Sequence, residues 1–434
     1  MSETSGPDAS SVTAPPDGRA TIVVLCPHFE PDTAPTGTVM TRIVHELAAL
    51  GHEIHVVTSL PWYAAHAVDP AWRGRLVRRE RTEWGSITRV DPFAGSDRAN
   101  LVRRAAGFVV YSALAGWEAL RAGGTLRRAD AVIAMSPPLT LGLTGWITAQ
   151  ARRACFVFNI QDVFPDAAVE TGAITNRTVI SLASLLERVS YRLADAVTVL
   201  SEDLRANVVT KVPPARAGTV HVIPNFVDTE VIRPAPRMTP YRAELGIGDE
   251  PVVLYAGNIG FSQSLDLMFE AARRLPTVTF LINGRGSARP AVEAAAAETG
   301  NLLVGDVVPA ERLGELLATG DIHVVPLKPG LGSVSVPSKS YSIMAAGRPV
   351  VAAIDPGTAI PRILEQTGAG IAVPPDDPDA FVAALRRLLA APFDAEAMGA
   401  RGRAWVEAEA SPAAVGAAYD RLIRRLRRRR RRRM

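Results

Sequence analysis

Along most of this chain, short runs of consecutive apolar residues alternate with stretches in which apolar positions recur every three or four residues. The first pattern is that of a strand buried on both faces, and the second that of a helix packed on a sheet. ATIVVLC (20–26) is the first such strand, TGTVMTRIVHELAALG (36–51) a helix closed by its glycine, and EIHVVTS (53–59) the second strand. SITRVD, AVIAMS, ACFVFNI, AVTVLS and TVHVIPN continue the series, with helical segments between most of them. Strands separated in this way form a parallel sheet covered on both sides.

The rhythm breaks over 227–250, VDTEVIRPAPRMTPYRAELGIGDE, where three prolines and mixed polarity predict a linker. It restarts with PVVLYAG, VTFLING, LLVGD, IHVVPL, PVVAAI and GIAV. The expectation is an α/β chain of two Rossmann-like parallel-sheet domains, 20–226 and 251–410, facing each other across a cleft. Ligands of such folds bind beyond the carboxyl ends of the strands. A last helix over 411–426 takes Ser411 as its cap and Pro412 in its first turn.

Composition adds detail to this picture. Hydrophobic residues make up 47% of the chain and aromatics only 6%, so the cores are built from Ala, Val, Leu and Ile. The formal charge of +4 misleads, because residues 424–434, RRLRRRRRRRM, carry nine arginines. Taking those nine from the 48 basic residues leaves 39 against 44 acidic ones, so the body is mildly acidic and the basicity sits at the end. A block of like charge this dense predicts a disordered interaction arm over 427–434, directed at an anionic membrane leaflet or at nucleic acid without specific sequence readout. Residues 103–120, RRAAGFVVYSALAGWEAL, pair two arginines with an apolar helical stretch too short to span a bilayer. They offer a second membrane contact, or simply a helix packed on the first sheet. Residues 131–151 are free of charge, yet Pro137 and Pro138 divide them into strand, turn and helix, which argues against a membrane span. Cys26 and Cys155 lie in apolar strand runs without metal or redox spacing, as expected of core thiols in a reducing compartment. Residues 1–19 are polar and Pro/Ser-rich, the composition of a loose tail rather than a signal peptide. The expected location is therefore cytoplasmic, with peripheral attachment to the inner face of the plasma membrane.

Four segments after strand ends carry the candidate chemistry. YAGNIGFSQSLD (255–266) turns at Gly257, Asn258 and Gly260 before a helix opening near Ser264, a turn in which backbone N–H groups reach a phosphate. INGRGSA (282–288) sets Arg285 at the sheet edge, and AIDPGTA (353–359) turns sharply after its strand. SVPSKSYSIMAAGRPVVA (335–352) predicts a helix from Pro337 to Gly347, with Ser338 and Lys339 in its first turn. A helix N-terminus is the positive end of the dipole, so a lysine there makes sense only with an anion in front of it. Each turn alone is explained as a tight turn; four on one rim predict an anion-binding pocket.

YAGNIGFSQSLD, VPSKSYSIMAAGRPVVA and GAGIAVPPDDPDAF (368–381) together resemble the C-terminal domain of glycosyltransferase family 4, retaining enzymes of the GT-B fold. NIQDVFPDAAVETGAI (159–174), LSEDLRANVV (200–209) and VIPNFVDTEVI (222–232) resemble its N-terminal half, in the bacterial branch that builds exopolysaccharide and O-antigen. The resemblance covers roughly residues 20–425. It implies a nucleotide-sugar donor, by family habit uridine-linked, held mainly by the C-terminal domain. Gly257, Asn258, Gly260, Gln263, Arg285, Ser338 and Lys339 would be the donor residues. It also implies an acceptor, lipid-linked or a cell-surface glycan, held mainly by the N-terminal domain near the loop at Thr36 and Gly37.

The departures bear on mechanism. Many members carry two glutamates eight positions apart in the donor site, and the matching positions here are Val334 and Ser342. The chain resembles the branch with PSKxYS in place of the glutamate pattern, which implies that Lys339 would carry the diphosphate contact. Where many members have a histidine, this chain has Ser136-Pro137-Pro138, so His28 in CPHFEPDTAPTG is the catalytic candidate by location, and Asp162 in QDVFPD the candidate for orienting a hydroxyl. Retaining chemistry on the leaving-group face needs no protein nucleophile, in keeping with the lack of a paired-carboxylate signature. No Asp-x-Asp clamp accompanies the pocket, so no metal cofactor is expected. A dinucleotide oxidoreductase is disfavoured by the lack of GxGxxG after the first strand. A nucleotide-sugar epimerase of the same architecture and a non-catalytic two-lobed binding protein are the alternatives.

Overall fold

The computed structural model describes residues 18–64, 67–93, 101–166, 176–332 and 336–432, the side chains of 101–106 excepted. Val334 and parts of 159–174 and 427–434 lie outside them. The chain falls into two compact units: one takes in residues up to Phe164, Asn176–Val197 and Tyr419 onward, the other Pro165–Thr175 and Thr198–Ala418.

One sheet has eight strands: β1 Thr21–Leu25, β2 Glu53–Ser59, β3 Val77–Thr82, β4 Gly85–Val90, β5 Ala131–Ser136, β6 Cys155–Ile160, β7 Ala196–Val199 and β8 Val220–Val222. Their order is β3-β4-β2-β1-β5-β6-β7-β8. The pairs formed by β1 with β2 and β5, by β2 with β4 and by β5 with β6 are parallel. β3 is a strand the apolar pattern does not predict, and it runs antiparallel to β4. Its sequence VRRERT has one apolar residue, because an edge strand is half in water and needs no apolar run. The charge-free stretch resolves into β5 and the helix Thr140–Ala151, as the two prolines require. Among the described residues no helix is long and apolar enough to cross a membrane. Cys26 and Cys155 are buried free thiols, pushed up to about 12 by burial.

The second unit holds β9 Val252–Ala256, β10 Thr279–Asn283, β11 Leu302–Gly305, β12 Ile322–Pro326, β13 Val350–Ala353 and β14 Gly370–Val373, in the order β11-β10-β9-β12-β13-β14. β10 pairs with β9 and β11, β12 with β9 and β13, and β13 with β14, all in parallel. Alternate residues serve opposite faces: Val253, Tyr255, Phe280 and Ile282 pack with Met268, Phe381 and Leu385, while Val325, Val350 and Ala352 pack with Tyr341, Met344 and Val406. That two-sided burial is why these strands read as continuous apolar runs.

The stretch 227–250 is more ordered than a linker. It contains the helix Pro240–Glu244, and Arg242, fully buried, donates to the carbonyls of Gly248, Thr319 and Glu250. Its prolines open and space this packed segment. The final helix also departs from expectation, running from Pro412 to Arg431. The Ser411 hydroxyl caps it by accepting from Ala414 N–H. The arginines extend it because two are held by the first unit: Arg427 pairs with Asp130 at 2.9 Å, and Arg430 donates to the Ala154 carbonyl at 2.5 Å.

Candidate functional site

The second unit's candidate residues gather where β9 and β10 end. After β9 the chain enters Gly257 at φ +145°, and after β10 it enters Gly284 at φ +152° and Gly286 at φ +156°, a region that favours glycine. The two turns are bound together. Gly257 N–H donates to the Asn283 carbonyl at 2.9 Å, and Ile259 N–H to that of Arg285 at 2.8 Å. Gln263 accepts from Gly260 N–H at 3.0 Å, which fixes the loop's second half. The following helix spans Asp266–Arg274, beginning two residues later than expected because Ser264 and Leu265 form the turn into it.

Lys339 lies against this loop. The helix here is Lys339–Ala345, shorter than the predicted Pro337–Gly347, with Pro337 and Ser338 in the preceding turn and Gly347 at φ +69° beyond its end. Ser338 is exposed and makes no capping bond. From the first helical position Lys339 reaches over β9, where its Nζ donates to the Tyr255 hydroxyl at 2.8 Å and stands 4.2 Å from that ring's centre. The hydroxyl in turn donates to the Asn258 carbonyl at 2.6 Å. A Cβ on Gly257 would meet the ammonium at 3.0 Å, so the glycine leaves room for the lysine. Burial lowers the Lys339 ammonium to about 8, and burial raises the Tyr255 phenol well above its usual value.

Arg285, by contrast, turns to solvent, 71% exposed, with Asp306 at 3.5 Å. After β13, Asp355 accepts from Gly330 N–H and Gly332 N–H, both at 2.9 Å. The Gly330 bond and, against desolvation, that of Gly332 hold its carboxyl below the usual range. Tyr255 and Asp355 lie in YAGNIGFSQSLD and AIDPGTA but are not among the residues that the sequence pattern marks as candidates. A polar tip on an apolar strand end was the available signal for Tyr255.

In the first unit, His28 Nδ1 donates to Asp32 at 2.7 Å in the tautomer this pairing favours, while its ring lies 5.4 Å from Trp62 and 5.5 Å from Tyr63. Asp32 is buried. Desolvation pushes its carboxyl up, but the His28 bond and charge and the N–H groups of Tyr63 and Trp62 outweigh this and leave it lowered. Thr36 and Gly37, assigned to an acceptor-side loop and also to the start of the predicted helix 36–51, lie in the first turn of the helix Pro35–Ala49, which Pro35 opens. Gly37 is where the helix crosses His28: a Cβ there would stand 2.8 Å from the His28 Cβ. Asp162 is exposed after β6, and desolvation by surrounding protein still raises its carboxyl, a shift that solvent access limits.

Residues 36–225 match the family profile of the glycosyl transferase 4-like domain, and residues 250–391 that of glycosyl transferases group 1. The chain is 28% identical over 391 residues to a protein named for colanic acid biosynthesis, the glycosyl transferase WcaI of Escherichia coli, covering 86% of this chain and 92% of that one. It is 29% identical over 269 residues to the glycosyltransferase WbjE of Pseudomonas aeruginosa, covering 61% and 66%. Among solved structures, sucrose-phosphate synthase from Thermosynechococcus elongatus matches with TM-score 0.69 at 20% identity, over 94% of this chain and 99% of that one. HepE of Anabaena, solved with UDP and glucose, matches with TM-score 0.61 at 14% identity over 93% and 99%. Two parallel-sheet units, both family profiles and relatives of this kind agree, and the chain belongs to glycosyltransferase family 4, as a nucleotide-sugar glycosyltransferase of the GT-B fold.

Proposed function

We propose that this enzyme moves a sugar from a uridine diphosphate donor, with retention and without a metal, to a lipid-linked or cell-surface glycan acceptor. The observation that carries the donor part is Lys339: its half-buried ammonium has a neutral phenol for partner and no carboxylate within ion-pair distance among the described residues. A cation held like this beside an open glycine loop is a site for the charge that develops on a departing diphosphate. Asn258 and Gln263 lie on the same loop, with Ser338 and Arg285 at its margin, while the N–H groups of Gly257, Ile259 and Gly260 are already bonded within the two turns. The name of the WcaI relative and the UDP–glucose complexes of HepE support the choice of envelope glycan and uridine.

His28, oriented by Asp32 through Nδ1, keeps Nε2 as a hydrogen-bond acceptor for an acceptor hydroxyl, with Thr36, Gly37 and Asp162 in the same unit. The acceptor oxygen bonds the anomeric carbon on the face from which the diphosphate departs and its proton leaves on the phosphate, so His28 need not act as base and no protein nucleophile is required. Peripheral attachment to the inner membrane leaflet belongs to the same reading. The last helix exposes Arg421, Arg425, Arg428, Arg429 and Arg431, with exposed Arg432 just beyond its end, and the helix Leu101–Ala119 exposes Phe108, Val109, Val110 and Trp117. An apolar surface plus a polybasic one holds a protein at an anionic leaflet where either alone is reversible.

A thermal-shift panel of UDP, GDP, ADP and their sugar conjugates tests the donor, followed by product analysis with the sugar that stabilises most. Selective stabilisation by uridine nucleotides, with transfer that survives exhaustive EDTA treatment, is the expected result. Stabilisation by another base, or activity lost in EDTA and restored by Mg²⁺, would overturn the corresponding part.

A further inference from the structure

We propose that Tyr255 is a positioning residue for the transfer reaction: its hydroxyl ties the Lys339 ammonium to the glycine loop so that both meet the diphosphate as one preformed unit. This rests on the reading of Lys339 as the donor's cation. The hydroxyl has two bonds with distinct roles, accepting from Lys339 Nζ at 2.8 Å and donating to the Asn258 carbonyl at 2.6 Å. The side chain is fully buried at the end of β9, packed among Phe280, Ile282 and Met268, so it cannot move away. Lysine by contrast has a flexible four-carbon stem, and it must lose that freedom to hold a phosphate. A rigid acceptor under the ammonium removes that freedom before the ligand arrives.

The same bond sets when the lysine is charged. Burial alone disfavours the ammonium, and a hydrogen bond accepted from it favours the charged form. Among the described residues no charged group forms an ion pair with that ammonium. Asp355 after β13 is occupied by Gly330 and Gly332, and Arg403 of the helix Pro392–Glu409 bonds the Ala345 carbonyl at the other end of the Lys339 helix. Lys328 follows β12, and Tyr341, on the lysine's own helix, is buried against Trp405. Tyr255 is therefore the protein group through which the charge of Lys339 is held.

The test is the affinity for uridine diphosphate by calorimetry between about pH 7 and 8.5, a range in which the terminal phosphate, with its pKa near 6, is already ionised and the uracil imide still holds its proton. Wild-type affinity should fall above about pH 8, and binding near pH 8 should take up protons, seen as a dependence of the heat on the buffer. Tyr255→Phe keeps the ring and removes the acceptor. It should bind about tenfold more weakly at pH 7.5 and show its alkaline loss at lower pH. Lys339→Arg, which does not titrate in this range, should lose the alkaline limb altogether. A Tyr255→Phe protein that loses thermal stability but keeps the wild-type pH profile would overturn the role of Tyr255 alone. An alkaline limb that persists in Lys339→Arg, or no proton uptake by the wild type, would overturn the assignment of Lys339 beneath it. Proton uptake needs no variant, so a misfolded Tyr255→Phe leaves that arm standing.

Discussion

A Cβ placed on Gly284 would lie 1.9 Å from the carbonyl oxygen of Gly257. The two glycines end neighbouring strands, and the chain after β9 leans directly on the chain after β10. The obstacle is backbone and cannot swing aside. Gly284→Ala should therefore cost about 2–4 kcal/mol, combining overpacking with a positive φ. It should also displace the loop at 257–260 and weaken nucleotide binding. The denaturation midpoint and the UDP affinity of the surviving folded protein check both effects. A midpoint unchanged from wild type would show that the two turns are not packed as described.

Lys339→Ala should weaken uridine diphosphate binding by about 1–3 kcal/mol, the scale of a lost charge-assisted hydrogen bond. Thermal stability should change little, because the ammonium lies at the edge of the core and pairs with a neutral phenol. Calorimetry that finds near-equal affinities would place the diphosphate elsewhere.

His323 lies fully buried on β12, where its Nε2 donates to the Leu317 carbonyl at 2.9 Å. Burial lowers its pKa to about 3, far under the unfolded value near 6.5. Between those values the unfolded chain binds a proton that the folded chain refuses. Stability should therefore fall as the pH drops below about 6.5, by up to about 1.4 kcal/mol per pH unit from this group. Above pH 6.5 the group has no effect. His323→Gln keeps a donor for Leu317 and removes the titration, so urea unfolding at pH 6.5 and 5 should show a smaller difference than in wild type. Equal pH differences in both proteins would exclude His323 as a source.

Replacing Arg425, Arg428, Arg429 and Arg432 by Gln should strongly reduce flotation with phosphatidylserine-containing vesicles. Arg427 and Arg430 are left in place because they bond Asp130 and the Ala154 carbonyl. Wild-type flotation should also weaken between 50 mM and 300 mM salt, as screening shortens to well below about 10 Å. Flotation that depends on neither the arginines nor salt would leave the apolar residues of Leu101–Ala119 as the anchor.

Much of this molecule is written in local pattern. The strand runs from ATIVVLC to GIAV all became strands, because a parallel strand buried on both faces must be apolar at every position. The Ser411 cap and the Pro137-Pro138 break acted where they were read, since caps and prolines work through their own backbone. Glycine turns after β9 and β10 were also legible, because a positive φ after a strand is a local demand. Tertiary structure decided the rest. β3 carries a charged sequence and is a strand only because β4 offers it hydrogen bonds. The arginines of 427–431 are helical because Asp130 and Ala154, distant in sequence, hold two of them. Lys339 was legible as a cation in an odd place, but its partner Tyr255 stands 84 positions away. No spacing in a single sequence encodes that pairing. It exists because β9 is sandwiched between neighbours and the helix of Lys339 is packed where its side chain must cross the strand's end.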